Sequence, residues 1–367
     1  MKSPSLCLLL FVLGVYPLSS AADSLLFESD EIMEISIPVE FKSICRPHED
    51  SDCEFTPTVL NYYDPDGESR SIPVEVKVRG GWRSLTRNCS IPLLWVRFDP
   101  RQTANSPFDG QRLLPLTTHC GRGLSLDSSQ SGASPTDWEQ YLLREYLGHR
   151  LYNLLTEISI RARLIEIEYP NPGRPGRTVR SYAFFTEHFD SVAARNSVKL
   201  LPRPGFDYEK LDNRSADVLA LFQFMIGNTD WSIVRERNTV LMQNNSEKQV
   251  PVPYDFDMSG LVDAHYAGPA PGLPIDTVQD RYYLGFCHPD VDWGELFQYF
   301  RSQRYAVLAM VDKVPGLNWN NTRQAKKFLE QFFKILSSPS ERQKYIVEGC
   351  QPWPPSPFDH TTPADKR

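Results

Sequence analysis

Residues Met225 to Gly260 read MIGNTDWSIVRERNTVLMQNNSEKQVPVPYDFDMSG. Asp230, Asn238, Asp255 and Asp257 stand here at the borders of apolar runs. Acidic groups at the edge of a core are costly unless a cation meets them. The stretch therefore raises the question of what cation meets them. Its local pattern is readable. "SADVLALFQFMIGN" carries Val218, Leu221, Phe222 and Met225 at helical spacing and ends at Gly227-Asn228, a helix stop. A strand at Thr239 to Met242, a polar turn at Asn244 to Lys248 and a strand at Val250 to Pro253 follow, the last running into Tyr-Asp-Phe-Asp.

Downstream, "WGELFQYFRSQRYAVLAMVDKV" and "TRQAKKFLEQFFKILSS" read as two amphipathic helices, and the tail from Gln351 as a disordered or strap-like end. Upstream the pattern changes. In "IPVEVKVRGGW", Val74, Val76 and Val78 alternate with Glu75, Lys77 and Arg79, a half-buried strand. "IPLLWVRF", "RARLIEIEY" and "RSYAFFTEHF" are further strands, the last two joined by "PNPGRPGR". Between them "PTDWEQYLLREYLGHRLYNLLTE" predicts a helix, with Thr136 as N-cap and Glu139 completing a capping box. Trp138, Tyr141, Leu142, Glu145, Tyr152 and Leu155 share one face of it. Glu145 among them either reaches solvent at an edge or has a partner.

The chain has 367 residues, 41% hydrophobic and 12% aromatic, the profile of a folded protein with room for two modest domains. A net charge of −7 with no basic run speaks against nucleic acid as a partner. The first residues read as a signal peptide over residues 1–22: Lys2, an apolar Leu6 to Leu18, then Ser19-Ser20-Ala21-Ala22. The expected location is secreted or periplasmic, with no stable membrane span in the mature chain. Beyond Cys7, Cys45, Cys53, Cys89, Cys120, Cys287 and Cys350 form an even set without zinc spacing, which favours disulfides. Cys45–Cys53 would close a short acidic loop; Cys89–Cys120 and Cys287–Cys350 are the expected remaining pairs. Asn88, Asn213, Asn244 and Asn320 each open an N-x-[ST] sequon.

The parts predict an α+β chain: a β-rich N-lobe with one helix over residues 23–190, a helical C-lobe with the site residues over 191–350, and a tail over 351–367. An Asp-containing loop, a hairpin and a second Asp follow the order of a two-lobed, protein-kinase-like fold. The stretch resembles the CotH-type spore-coat kinases and, more loosely, HipA-like and secretory-pathway kinases. "VKVRGGW" resembles the Arg-Gly loop, "WEQYLLREYLGHRLYNLL" the helix after it, "SYAFFTEHFD" the strand entering the hinge, and "GNTDWS" with "PYDFDMSG" the catalytic elements. The resemblance implies ATP as cosubstrate, Mg²⁺ or Mn²⁺ as metal, and Ser or Thr of a protein outside the cytoplasm as acceptor.

On that resemblance Asp230 would orient or deprotonate the acceptor, and Asn238, Asp255 and Asp257 would hold the metal. Gly80 and Gly81, with Arg79, would cover the phosphates, and Glu145 and Glu187 would border the nucleotide. Between Arg79 and Val198 the sequence has no lysine. The small-lobe cation would then be Lys77, Arg79 or Arg97, although arginine meets phosphate differently from lysine. The position five after Asp230 is Arg235, so the asparagine is Asn238, eight residues on. Other chemistries lack a motif: no HExxH, GxSxG or P-loop occurs. A metal hydrolase built on Asp230, Asp255 and Asp257 would leave the strand-rich half unexplained. Two readings stand, an exported ATP-dependent kinase and a catalytically degenerate module serving in binding or surface assembly.

Overall fold

Val74, Val76 and Val78 are buried, as their alternation predicts, but they line the inside of a closed barrel. The computed structural model describes residues 25–50, 52–64, 66–121 and 136–355; the leader over 1–22 and the tail beyond 355 lie outside the described residues. Seven strands form the barrel: β1 (Met33–Ser36), β2 (Thr56–Tyr63), β3 (Ser69–Val78), β4 (Leu94–Phe98), β5 (Leu113–Thr118), β6 (Ala162–Pro170) and β7 (Thr178–Thr186). They close in the order β1-β2-β3-β4-β5-β7-β6. All neighbours are antiparallel except β1 and β6, which run parallel with Met33 opposite Ile165 and Ser36 opposite Glu168. Ile35, Val96, Leu114, Ile165, Ile167 and Phe185 fill the interior with the three valines. Closure pairs every strand and leaves no open edge.

This architecture corrects the expected two-lobed, protein-kinase-like fold with its helical C-lobe. The strand-rich half is a closed, mixed barrel, and the second half adds a sheet of its own: β8 (Lys199–Leu200), β9 (Thr239–Gln243) and β10 (Gln249–Pro253), in the order β10-β9-β8. The closing strand β1 is only four residues long and pairs with a strand far along the chain. No local periodicity can announce such a pairing.

Helix α1 (Asp137–Asn153) carries the full capping box of Thr136 and Glu139. Leu142, Leu143, Leu147 and Leu151 are almost wholly buried. They join one core with α3 (Asn213–Ile226), α4 (Trp293–Ser302), α5 (Arg304–Asp312) and α6 (Trp319–Ser337). α2 (Phe189–Arg195) leads into β8, and the short α7 (Pro339–Arg342) follows α6. α4 and α5 are two helices where the sequence pattern reads one, with Gln303 capping both. α3 ends at Gly227, whose φ of 64° is the left-handed conformation glycine adopts freely. Gln351 pairs with Phe286 beside the last disulfide.

Cys45–Cys53, Cys89–Cys120 and Cys287–Cys350 are disulfide-bonded. Three such bonds belong to a chain kept in an oxidising, extracytoplasmic environment. Among the described residues no helix is long and apolar enough to cross a membrane.

Candidate functional site

The cation that meets the acidic stretch is Arg83. β3 ends at Val78, Gly80 turns at a φ of 92°, and a single 3₁₀ turn, Trp82–Ser84, carries Arg83 back over the barrel end. Its guanidinium Nη1 lies 2.9 Å from Glu145 Oε2 and its Nη2 donates to Asp255 Oδ1 at 2.6 Å. Its Nε is 3.4 Å from Asp257 Oδ2. One planar fork thus gathers carboxylates from α1 and from the segment after β10, the geometry at which arginine excels over lysine. Glu145 is 4% exposed, so its place on the apolar face of α1 marks this partner and not a solvent edge.

Charge does not balance at the centre. Burial raises the pKa of Glu145, and Arg83 only partly offsets it. Burial also pushes Asp257 well above the ordinary carboxyl range, and a hydrogen bond with Asp255 adds to that. Arg83 itself is desolvated, yet Asp257, Glu145 and Asp255 together hold it well above the usual guanidinium value. Arg79 is the second nearby cation; burial lowers it to about 10, and it donates to Thr117 Oγ1 at 2.9 Å. Three carboxylates therefore face two guanidinium groups, which favours a further cation or a proton.

Asp230 and Asn238 stand beside this centre. Asn238 Nδ2 donates to the Asp230 carbonyl at 2.8 Å and to Asp230 Oδ2 at 3.1 Å. Arg237 Nη2 is 2.5 Å from Asp230 Oδ1. Burial raises the Asp230 pKa, opposed by Arg237 and reinforced by Asp255. The Asn238 carbonyl accepts from Tyr254 N at 2.9 Å, which lays the Asp230 loop alongside the approach to Asp255. Asn238 and Asp255 both adopt left-handed backbone, φ 48° and 61°. Such conformations are uncommon outside glycine and cluster at functional sites.

The Arg83 loop is braced from outside. Arg46 Nη1 donates to the carbonyls of Ser84 and Cys89 at 2.9 and 3.1 Å, and Glu49 accepts from the Thr86 backbone and hydroxyl. The Cys45–Cys53 and Cys89–Cys120 bonds flank these contacts. Tyr266 lies between Trp82 (4.9 Å) and Trp138 (5.9 Å between ring centroids), walling one side of the carboxylates.

The remaining sequence candidates sit elsewhere. Lys77 points to the Phe55 ring at 5.7 Å, and Arg97 stacks on that ring at 4.0 Å while pairing with Glu75. Glu187 holds Arg195 at 2.9 Å and accepts from Arg161 N. Gly80 and Gly81 form the turn that launches Arg83 and so serve the site through it. Arg83 has no periodic signal. Its clues are the lysine-free stretch and the unexplained Glu145, which together ask for an arginine outside the strands.

The oxygen donors near Arg83 are of the type a hard divalent cation takes. Mg²⁺ prefers oxygen ligands and is held through one or two carboxylates plus phosphates, not by an all-protein cage. Asp255 and Asp257, which share a hydrogen bond, carry such oxygens, while the Asn238 carboxamide is engaged with Asp230. Among the described residues the one cluster of three metal-ligating types within 4.8 Å is Cys45, Asp50 and Cys53, whose sulfurs are joined to each other. No protein-family model matches this chain, and a search of curated proteins returns no match.

Proposed function

We propose that this chain is a phosphotransferase that moves the terminal phosphoryl group of ATP to a Ser or Thr hydroxyl of a protein outside the cytoplasm, after export to a secreted or periplasmic location. One observation carries the reading: Glu145, Asp255 and Asp257 meet on Arg83 with carboxylates in excess, directly beside the Asp230–Asn238 pair.

Phosphoryl transfer asks little covalent work of a protein and much positioning. Asp255, Asp257 and Asn238 would hold Mg²⁺ or Mn²⁺, which supplies charge neutralisation at the phosphate oxygens when bound. Asp230, its pKa raised by burial, accepts the proton of the acceptor hydroxyl as that oxygen bonds to phosphorus and the bond to the leaving oxygen breaks. Arg83 and Arg79 set positive charge at the barrel end, and the Gly80-Gly81 backbone lies next to it.

A second reading rests on its own observation. Asp255 is already paired with Arg83 and Asp230 with Arg237, so each acid has a counterion without a ligand. That arrangement favours a catalytically degenerate module acting in binding or surface assembly. Labelled ATP with Mg²⁺ or Mn²⁺ and the chain from Asp23, without the expected leader, separates the two. Transfer to the chain or to an added protein, reduced by on the order of 10²-fold or more in Asp230→Asn, supports the phosphotransferase. Metal-dependent binding without transfer supports the module.

A further inference from the structure

Arg144 precedes Glu145 on α1, and successive helical residues point about 100° apart. While Glu145 turns to Arg83, Arg144 turns to a separate surface depression of roughly 250 Å³. Gln324, Lys327 and Gln331, at helical spacing on α6, form one wall; Gln279 and Asp263 form another. Arg144 lies at the base and is 4% exposed. A buried guanidinium normally finds a carboxylate. Here Nε donates to the Gln140 carbonyl at 3.4 Å and the group lies over the Tyr141 ring at 5.5 Å. Asp263 and Asp137 favour its charge from a distance, but among the described residues no carboxylate forms an ion pair with it. Lys327 on the wall is likewise without an ion pair among the described residues.

We infer that this depression is an oxyanion site, taking a phosphate or carboxylate group between Arg144 and Lys327 with the Gln324 and Gln331 amides as further donors. Charge-assisted hydrogen bonds from a buried arginine are among the stronger polar contacts, and a fork pairs with two oxygens at once. Net charge along the walls is positive, two cations against Asp263, in a chain that is −7 overall. The site is distinct from the carboxylate centre and does not depend on any catalytic role for it.

The test titrates the full mature chain with inorganic phosphate against chloride at matched ionic strength and follows the melting midpoint. A ligand that binds only the native state raises that midpoint once its concentration passes Kd. The expected result is a phosphate-specific rise whose apparent affinity falls about tenfold in Lys327→Gln, an exposed position, and at least as much in Arg144→Gln. Asp255→Ala keeps the response, which separates this site from the carboxylate centre. A phosphoserine peptide that binds more tightly than free phosphate identifies the source as a modified protein side chain; equal binding identifies a free oxyanion. The absence of a phosphate-specific shift in the unaltered chain, or an undiminished one in Lys327→Gln, overturns the inference.

Discussion

Arg83 and Asp255 are 172 positions apart in the chain and meet at 2.6 Å. The contact joins the barrel end to the segment after β10, and Glu145 of α1 completes it from a third direction. Asp255 and Asp257 are therefore met by an arginine from the other half of the sequence, while Asp230 is met by Arg237 from within the stretch. That meeting organises the site.

Removing Arg83 leaves buried carboxylates without a counterion, so Arg83→Met should cost about 3–5 kcal/mol of stability. Glu145 and Asp257 have pKa values already raised by burial, and losing Arg83 raises them further. Protonation relieves the defect, so the cost is larger at pH 8 than at pH 5. Urea unfolding at the two pH values measures it; equal losses at both would disprove the charge argument. Arg83→Lys recovers only part, because an ammonium cannot reproduce the planar fork.

His149, one helical turn beyond Glu145, packs on Phe256 with ring centroids 4.8 Å apart, and burial lowers its pKa to about 4. The unfolded chain binds this proton more readily, near pH 6.5. Between about pH 6.5 and 4 this group alone gives the unfolded state more protons, and its contribution to stability falls as pH falls. The expected loss is on the order of 3 kcal/mol from a shift of this size. His149→Gln should flatten that part of a stability-against-pH curve, whatever its effect at neutral pH. An unchanged slope contradicts the assignment.

The bracing of the Arg83 loop is testable through Cys89–Cys120, which closes a sequence separation of 31. Chain entropy gives such a crosslink about 3–4 kcal/mol. A Cys89→Ser, Cys120→Ser double variant should lose that stability. It should also show faster amide exchange at residues 82–89, where Arg46 and Glu49 remain as the other anchors. Loss of stability with unchanged exchange there would place the effect elsewhere.

Gly260 follows Asp257 by three residues, and its N–H bonds to the Gly227 carbonyl at the end of α3. A Cβ at this position would lie 2.1 Å from the Val278 carbonyl oxygen and 2.7 Å from Phe328. Gly260→Ala should destabilise by about 1–3 kcal/mol, the usual range for overpacking. A neutral Gly260→Ala in thermal unfolding would show that the loop can move without strain.

Short-range features were legible before the structure. The β3 alternation and the Thr136–Glu139 capping box depend on neighbours within a few residues, and both appear as expected. The three disulfides follow the expected pairs. Barrel closure was not legible, because β1 contributes four residues and takes its partner from β6 in parallel. Arg83 was missed for a related reason. "GGWRS" has neither helical nor strand period, and the meaning of its arginine lies in Glu145 and Asp255, 62 and 172 positions away. Glu145, an acid on an apolar face, was the visible half of that relationship.

The most direct measurement is the melting midpoint of the mature chain with ATP and Mg²⁺ or Mn²⁺, beside Asp255→Ala. The proposed site predicts a rise that requires both nucleotide and metal and disappears in Asp255→Ala. No rise in either protein, with both folded, would contradict a nucleotide–metal site at Arg83, Asp255 and Asp257.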